Sequence, residues 1–108
     1  MDDVLNQIDD TIHVKVRLAI MSILTAEGSV TFTRLKDRLR LTDGNLAAHL
    51  RALETAQYVA VHKSFVARRP RTTVELTERG RAAFRDYVTA LENLIRMGRE
   101  RDQHLDTH

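Results

Sequence analysis

The chain has 108 residues, with 17 Lys and Arg against 15 Asp and Glu, and it contains no cysteine. This length supports one domain, over residues 1–108, and the lack of cysteine excludes disulfides and thiolate metal sites. No apolar run is long enough for a membrane span, and the acidic segment over residues 1–10 does not fit a signal peptide. We therefore expect a single cytoplasmic domain.

A first helix is predicted from the apolar run between Val14 and Leu24. It is expected to begin near residues 9–11, where acidic and hydroxyl side chains suit a helix N-terminus, and to stop before Gly28. Apolar residues cover two sides of this helix, which predicts burial on both sides. Ser29 to Thr31 is long enough for a minimal strand.

Two short helices are predicted next. Thr31 or Thr33 can cap a helix from Phe32 to about Arg40, and Thr42 can cap another that runs to Glu54. In the second of these, Leu46, Leu50 and Leu53 form one apolar stripe, and the opposite face is small or polar. Two short helices joined by a tight turn are typical of a helix-turn-helix.

A hairpin and a long helix are predicted for the rest of the chain. Residues 58–67 alternate as a strand does, the basic run 68–71 with the single proline interrupts them, and residues 72–76 are the expected returning strand. Thr77 can cap a long helix that runs to roughly Arg96 or beyond, and residues 98–108 are expected to form a polar tail. The fold class is therefore α+β, mainly α: a winged helix-turn-helix with a two-stranded wing and a long C-terminal helix.

Charge is distributed unevenly around the hairpin. No acidic residue lies between Glu54 and Glu75, whereas Lys63, Arg68, Arg69 and Arg71 all do. A phosphate backbone selects for such a local excess of positive charge. Together with a helix whose exposed face is small and able to hydrogen-bond, it predicts binding to double-stranded DNA.

Several motifs in register resemble those of the winged-helix transcriptional regulators of the MarR/ArsR-like superfamily, in its compact subgroup. The resemblance covers roughly residues 11–97 and is carried by Gly44-Asn45-Leu46, His49-Leu50, Leu53-Glu54, Tyr58-Val59, Arg69-Pro70-Arg71-Thr72-Thr73 and Leu76-Thr77-Glu78-Arg79-Gly80-Arg81. It implies a homodimer that binds pseudo-palindromic operator DNA, usually as a repressor. Gln57 stands where such proteins commonly have glycine, and Ala48 replaces a frequent serine or threonine.

Three groups of residues are the candidates for DNA contact. Asn45, His49 and Arg51 are expected to read bases, since Asn pairs with adenine and Arg with guanine. Contacts to the DNA backbone are predicted for Thr33, Arg34, Thr42 and Gly44. Phosphate or minor-groove contacts are predicted for the wing residues Lys63, Arg68, Arg69 and Arg71. The plain alternatives are a solvated helix face, simple capping by Thr33 and an ordinary charged loop.

A dimer interface is predicted from apolar surface that a small domain cannot cover. The residues expected there lie on the first and last helices: Val14, Leu18, Met21, Tyr87, Leu91, Leu94 and Ile95. An isologous dimer would place two recognition helices about 34 Å apart, to match half-sites one DNA turn apart. The alternative is a last helix that folds back over its own core.

Metal, cofactor and catalytic sites are not predicted. His104 and His108, interleaved with Asp102 and Asp106, would suit a metal only if the tail were helical, and a frayed polar terminus is the preferred interpretation. No nucleophile elbow, phosphate loop or Gly-rich fingerprint is present, which favours a non-enzymatic protein. The remaining alternative is a winged helix that serves as a protein-interaction or architectural DNA-binding module. A small-molecule effector is left open, at most in a cleft at the dimer interface.

Overall fold

The computed structural model describes the backbone of residues 2–106 and the side chains of residues 3–100. Its elements are, in chain order, α1 (Asp2–Asn6), α2 (Lys15–Glu27), β1 (Ser29–Thr31), α3 (Phe32–Leu39), α4 (Asp43–Thr55), β2 (Val59–Val66), β3 (Arg69–Leu76) and α5 (Glu78–Asp106). None of the helices within residues 2–106 is both long and apolar enough to cross a membrane. The winged helix-turn-helix architecture, including the wing and the long last helix, is confirmed.

The hydrophobic core lies where α2 and α4 pack against one face of the sheet. The predicted stripe of α4 is buried, since Leu46, Leu50 and Leu53 are at most 4% exposed. It meets residues of α2 and of the inner ends of the strands: Ile20, Met21, Leu24, Val59, Val74 and Leu76. Helix α4 is therefore fixed by its apolar side, and its other side faces outward.

The three strands form one antiparallel sheet in the order β1-β3-β2. Val74 of β3 lies opposite Val30 of β1 and Val61 of β2, so the minimal strand predicted for residues 29–31 is confirmed. β1 stops opposite Thr73, whereas β2 continues along β3 to the tip. The outer part of the hairpin therefore projects as a two-stranded wing.

Side-chain caps define the starts of α3 and α4 as the sequence indicated. Thr31 Oγ1 accepts the Arg34 N–H at 3.2 Å, and Thr42 Oγ1 accepts the Asn45 N–H at 3.1 Å. Of the two candidate caps for α3, Thr31 is therefore the one used, and Thr33 lies within the helix. Gly28 ends α2 at φ 81°, a backbone conformation that residues other than glycine rarely adopt.

The N-terminal boundary of α2 differs from the prediction. The helix begins at Lys15 rather than near residues 9–11, and the short α1 that precedes it was not predicted. Asp9 does cap backbone N–H groups, but those of a turn: its Oδ1 accepts from Thr11 at 2.8 Å and from Ile12 at 3.2 Å. A residue that can cap a helix can equally cap a turn, and the sequence does not distinguish the two.

Two tyrosines tie this N-terminal segment to the rest of the domain. Tyr58 Oη donates to Asp9 Oδ2 at 2.5 Å, and the Tyr87 hydroxyl and His13 Nδ1 lie 2.8 Å apart. Burial, followed by the hydrogen bond to Asp9 and the charge of that carboxylate, raises the pKa of Tyr58 to about 12. Burial also raises the pKa of Tyr87. The fold therefore favours both phenols in their neutral form.

A pH-dependent loss of stability follows from the Tyr58 pKa. Because the folded-state pKa of about 12 exceeds the ordinary 10.0, the neutral phenol contributes stability that is fully present below pH 10 and is lost as pH rises towards 12. We expect urea unfolding of the wild-type protein to show this loss between pH 10 and about 12, with a smaller loss in Tyr58→Phe. Tyr87 is the only tyrosine left in that variant. Equal pH dependence of the two proteins would contradict the Tyr58–Asp9 contact.

One junction joins the end of α4, the start of β2 and the start of α5. Thr77 donates its hydroxyl to the Gln57 carbonyl at 2.7 Å and its N–H to the Tyr58 carbonyl at 3.1 Å. Its hydroxyl oxygen also accepts the Gly80 N–H at 2.9 Å, so the predicted cap is confirmed. Gln57 adopts φ 67°, the conformation that a glycine would provide, and α4 ends at Thr55 in spite of the substitution.

Helix α5 continues beyond Arg96 to Asp106, within the predicted range of roughly Arg96 or beyond. It has 29 residues and is therefore about 43 Å long. The molecule measures 67 × 24 × 22 Å, so the helix extends far past the width of the domain. The expected polar tail from residue 98 is helical up to Asp106, and Thr107 and His108 lie outside the described residues.

Candidate nucleic-acid interface

The outward side of α4 is small and polar. Asn45, Ala48 and Arg51 are exposed, whereas His49 is half-buried. Gly44 is also exposed, and a Cβ built on it would meet nothing within 4 Å. Packing therefore does not require a glycine at this position, and its small size leaves space next to the first turn of α4.

The three predicted base-reading residues do not lie on one line along α4. At 100° per residue, His49 is about 40° from Asn45, whereas Arg51 is about 120° from Asn45. Asn45 and His49 therefore share one flank of the exposed side, and Arg51 lies on the flank that faces the wing. Groups on opposite flanks of a helix in a groove address different bases, so these residues form two separate contacts.

A groove separates α4 from the wing on the Arg51 side. Its volume is about 360 Å³, and Arg51, Glu54 and Lys63 are its charged lining residues, with Phe32 and Val61 among the apolar ones. Of the residues that line this groove, Glu54 and Thr72 were not among the contact residues predicted from the sequence. The period-2 pattern of the strands was the signal for Thr72, since it shares a face with Val74.

The predicted backbone contacts cluster around the starts of α3 and α4. Thr33, Arg34, Thr42 and Gly44 are all exposed. Arg34 Nη2 lies 3.4 Å from Glu27 Oε1, and Arg38 also pairs with Glu27. The contact with Glu27 ties Arg34, in the first turn of α3, to the end of α2.

An ion pair links the two helices of the helix-turn-helix. Lys36 Nζ lies 3.0 Å from Asp43 Oδ1, and the hydrogen bond to that carboxylate raises the pKa of Lys36. Lys36 therefore stays charged and connects α3 to the first turn of α4. Because Asp43 is exposed, we expect this ion pair to orient the two helices relative to each other and to contribute little to stability.

The wing turns earlier than predicted. The interruption was expected over residues 68–71, but β3 already begins at Arg69, and the turn consists of Ala67 and Arg68 alone, at φ 52° and 67°. Two consecutive positive φ values are those of a type I′ hairpin turn, which matches the twist of the strands. Neither residue is the usual Asn or Gly, and for this reason the sequence did not indicate the turn.

Pro70 lies within β3 rather than at the tip of the wing. The Leu76 N–H donates to the Gly28 carbonyl, so alternate residues of β3, including Pro70, direct their backbone groups towards the β1 side. β1 has ended before that level, and Pro70 therefore lies on a free strand edge. Proline has no N–H to leave unpaired there, and it discourages pairing with another chain.

The four wing cations are exposed but are divided between surfaces. Lys63 lies opposite Thr72 on the face directed towards α4, whereas Arg69 and Arg71 lie on the other face and Arg68 lies in the turn. Among residues 3–100, the basic groups in ion pairs are Arg34, Arg38, Lys36 and His62. The wing cations therefore have no acidic partner in the described part of the chain.

A second groove brings the wing close to the start of α3. It has a volume of about 360 Å³ and is lined by Thr33, Arg69 and Arg71, among others. These predicted contact residues are far apart in sequence, and the fold places them around one depression. The wing and the start of α3 can therefore contact the same polyanion.

The predicted dimer-interface residues fall into two groups. Met21 and Tyr87 are 0% and 1% exposed within the protomer, so the prediction for these two is wrong: they belong to its own core and have no surface for a partner. Val14, Leu18, Leu91 and Leu94 are half-buried. Ile95 is 47% exposed, and Met97 beside it is 41% exposed. Among the predicted interface residues, the exposed apolar surface therefore lies on the outer part of α5.

The histidines of the C-terminal tail lie where side chains are not described. His104 falls within the backbone of α5 and His108 lies outside the described residues, so the metal alternative has no side-chain geometry to assess. Within residues 3–100 there is no cluster of three or more potential ligands for a metal ion.

Comparisons with known proteins agree with this geometry. An uncharacterized protein of Methanocaldococcus jannaschii is 40% identical over 73 residues, which is 68% of this chain and 79% of that protein. The structure of the transcriptional regulator homologue protein of Pyrococcus horikoshii OT3 matches 88% of this chain and 95% of that chain, with 32% identity and a TM-score of 0.81. Overoxidized AbfR, solved bound to DNA, shares the fold at 18% identity, with a TM-score of 0.62 over 96% of this chain and 79% of that one.

A family model described as a winged helix DNA-binding domain matches residues 16–95. This range includes the helix-turn-helix, the wing and most of α5 up to Ile95. The solved structure with 32% identity is described as a transcriptional regulator homologue, so the predicted resemblance to winged-helix transcriptional regulators is confirmed. An ArsR family transcriptional regulator shares the fold, at 18% identity. The chain belongs to the winged helix DNA-binding domain family.

Proposed function

We propose that this protein is a sequence-specific transcriptional regulator that binds a pseudo-palindromic operator as a homodimer and acts as a repressor in the cytoplasm. The observation that carries the proposal is the shared surface of α4 and the wing. There an exposed polar helix face lies next to a wing whose two faces and turn carry four cations, and these cations have no acidic partner among the described residues. A duplex supplies both a groove for the helix and phosphates for the cations.

Base reading is assigned to the two flanks of α4. Asn45, with His49 beside it, addresses one part of a half-site, and Arg51 on the wing side addresses another. Each bidentate contact is worth about 1–3 kcal/mol of discrimination against a wrong base. The half-buried His49 offers only part of its ring to the groove, so we expect it to contribute less than Asn45 or Arg51.

Phosphate contacts are assigned to the wing and to the helix starts. Lys63, Arg68, Arg69 and Arg71 neutralise backbone charge on both sides of the wing, and the exposed hydroxyls of Thr33 and Thr42 can donate to phosphate oxygens. Arg34, in the first turn of α3, is also assigned a contact with the phosphates of the DNA backbone. Gly44 lets the DNA backbone come close to α4, because no Cβ occupies that space.

A homodimer is supported by the length and the apolar surface of α5. Helix α5 is about 43 Å long, whereas the smaller dimensions of the molecule are 24 and 22 Å, and Ile95 and Met97 on its outer part are exposed. A second copy that covers this surface also provides the second recognition helix. Two such helices about 34 Å apart match half-sites one DNA turn apart.

Selection from genomic DNA tests this function. The purified protein is titrated with salt in the presence of upstream fragments from its own genome, and the retained DNA is sequenced. An enriched inverted repeat with a steep salt dependence is the expected result. Uniform salt-sensitive binding with no enriched site would replace the proposal by an architectural role, and no binding at low salt would replace it by a protein-interaction module.

Two substitutions distinguish base reading from phosphate binding. Arg69→Ala should weaken all duplexes similarly and reduce the slope of log K against log salt by about one. Asn45→Ala should instead weaken the selected operator about tenfold and leave non-specific binding nearly unchanged. Titrations of an operator and a scrambled duplex at several salt concentrations measure both effects.

The matched control for Arg69→Ala is Arg85→Ala, which removes an exposed positive charge from α5 and not from the wing. It should leave the salt slope unaltered. If the Asn45 and Arg69 variants lose affinity with the same salt and sequence dependence, the proposed division between reading and positioning is wrong.

A further inference from the structure

The wing carries an apolar side chain that neither the core nor the proposed phosphate contacts account for. Phe65 is 76% exposed and is the most exposed large hydrophobic residue within residues 3–100. It lies opposite Pro70 in the hairpin, and the two form an adjacent apolar pair. Val66, which follows it, is 45% exposed. Exposed apolar surface of this kind at a fixed place usually marks a contact.

The strand alternation determines the direction in which Phe65 points. Val61, Lys63 and Phe65 share one face of β2, and Val61 and Lys63 line the groove beside Arg51. Phe65 is two residues farther along the strand than Lys63, which places it about 7 Å farther from α4. When α4 lies in the major groove, Phe65 therefore faces the same duplex at the level beyond the bordering phosphates.

The charges around Phe65 select its partner. Lys63 lies two residues before it on the same face, Arg68 is in the adjoining turn, and Arg69 and Arg71 flank Pro70. A second copy of the chain docked symmetrically at this place would bring these cations next to their own equivalents. A polyanion is attracted instead, and DNA also offers the apolar C–H groups of its deoxyribose rings.

We propose that Phe65 packs against deoxyribose rings at the edge of the minor groove, next to the major groove that holds α4. The inference rests on the proposed DNA-binding function and adds an apolar contact to it. Pro70 supports the aromatic ring from the opposite strand, and the surrounding cations bind the phosphates on either side. Other minor-groove proteins also place apolar side chains such as Phe and Pro against DNA, where they insert between base steps.

Salt titration separates this contact from a phosphate contact. Phe65→Ala should weaken binding of a duplex about three helical turns long by about tenfold. The slope of log K against log salt should be unchanged, because Phe65 neutralises no phosphate and its loss does not alter the number of counterions released. Phe65→Leu should retain most of the affinity. Wild-type affinity in Phe65→Ala, or a slope reduced as in Arg69→Ala, would overturn the inference while leaving the proposed function intact.

Photocrosslinking locates the contact directly. The photoreactive analogue p-benzoylphenylalanine, which abstracts C–H hydrogens, replaces Phe65 in the full chain bound to the same duplex. The control position is Leu5 on α1, which is also an exposed hydrophobic residue, at 54%. A DNA adduct from position 65 and none from position 5 supports the inference. A protein–protein adduct from position 65, or equal DNA adducts from both positions, would overturn it.

Discussion

Gly80→Ala is expected to destabilise the fold by about 3 kcal/mol or more. A Cβ on Gly80 would lie 2.0 Å from the Tyr58 carbonyl oxygen and 2.9 Å from a methyl group of Leu76. The carbonyl belongs to the backbone and already accepts the Thr77 N–H, so it cannot move without breaking the junction between α5 and β2. Overpacking against backbone costs more than overpacking against a flexible side chain. Urea unfolding should show a lower midpoint with an unchanged slope.

Gly98→Ala is the matched control for this substitution. Gly98 is also in α5, but a Cβ there would meet nothing within 4 Å. Ala is the better helix former by about 1 kcal/mol, so this variant should be as stable as the wild-type protein or more so. A Gly80→Ala variant as stable as the wild type would show that α5 and β2 do not approach each other as closely as described.

Ile95→Glu is expected to convert the proposed homodimer into a monomer. Ile95 is 47% exposed in the protomer, so the charge costs little in the isolated fold, whereas a buried dimer contact would have to desolvate it. In a monomer the two half-sites must be bound by two separate molecules, so the affinity for an operator with two half-sites should fall by about 100-fold or more. Light scattering measures the mass, and titration of one-half-site and two-half-site duplexes measures the affinity.

The control variant for Ile95→Glu is Thr89→Glu, which adds the same charge at an exposed position of α5 about 120° around the helix. It should remain dimeric. Affinity for a single half-site should be similar in both variants and in the wild-type protein. An Ile95→Glu protein that stays dimeric and binds the full operator normally would place the dimer contact elsewhere on the chain.

Local signals in the sequence predicted most of the helix-turn-helix. Each of these signals depends on a single residue. Thr42 and Thr77 cap helices with their side chains, Gly28 ends α2 with its positive φ, and all three appear in the structure. The start of α2 was less predictable, because the capping ability of Asp9 fits a turn as well as a helix. Its second oxygen is bound by Tyr58, a contact across 49 residues that no local pattern indicates.

Two features of the candidate site depended on tertiary structure. Periodicity showed that α2 is apolar on two sides and that α5 carries apolar residues, but it could not tell which of them meet the protomer's own core, and Met21 and Tyr87 were therefore misassigned. The wing cations were identified from composition alone. They are divided between two faces because Arg69 and Arg71 lie in β3 rather than in the loop, and a turn of two residues instead of four changes which residues lie opposite one another.

The junction at Thr77 and Gly80 has a geometric consequence for a dimer. It fixes the angle at which α5 leaves the recognition unit, and α5 is about 43 Å long. With an arm of this length, a rotation of roughly 5° at the junction displaces its far end by roughly 4 Å, more than the rise of one base pair. The hydrogen bonds of Thr77 therefore fix the point about which α5 would rotate. Small changes there would alter which half-site spacings the two recognition helices can span.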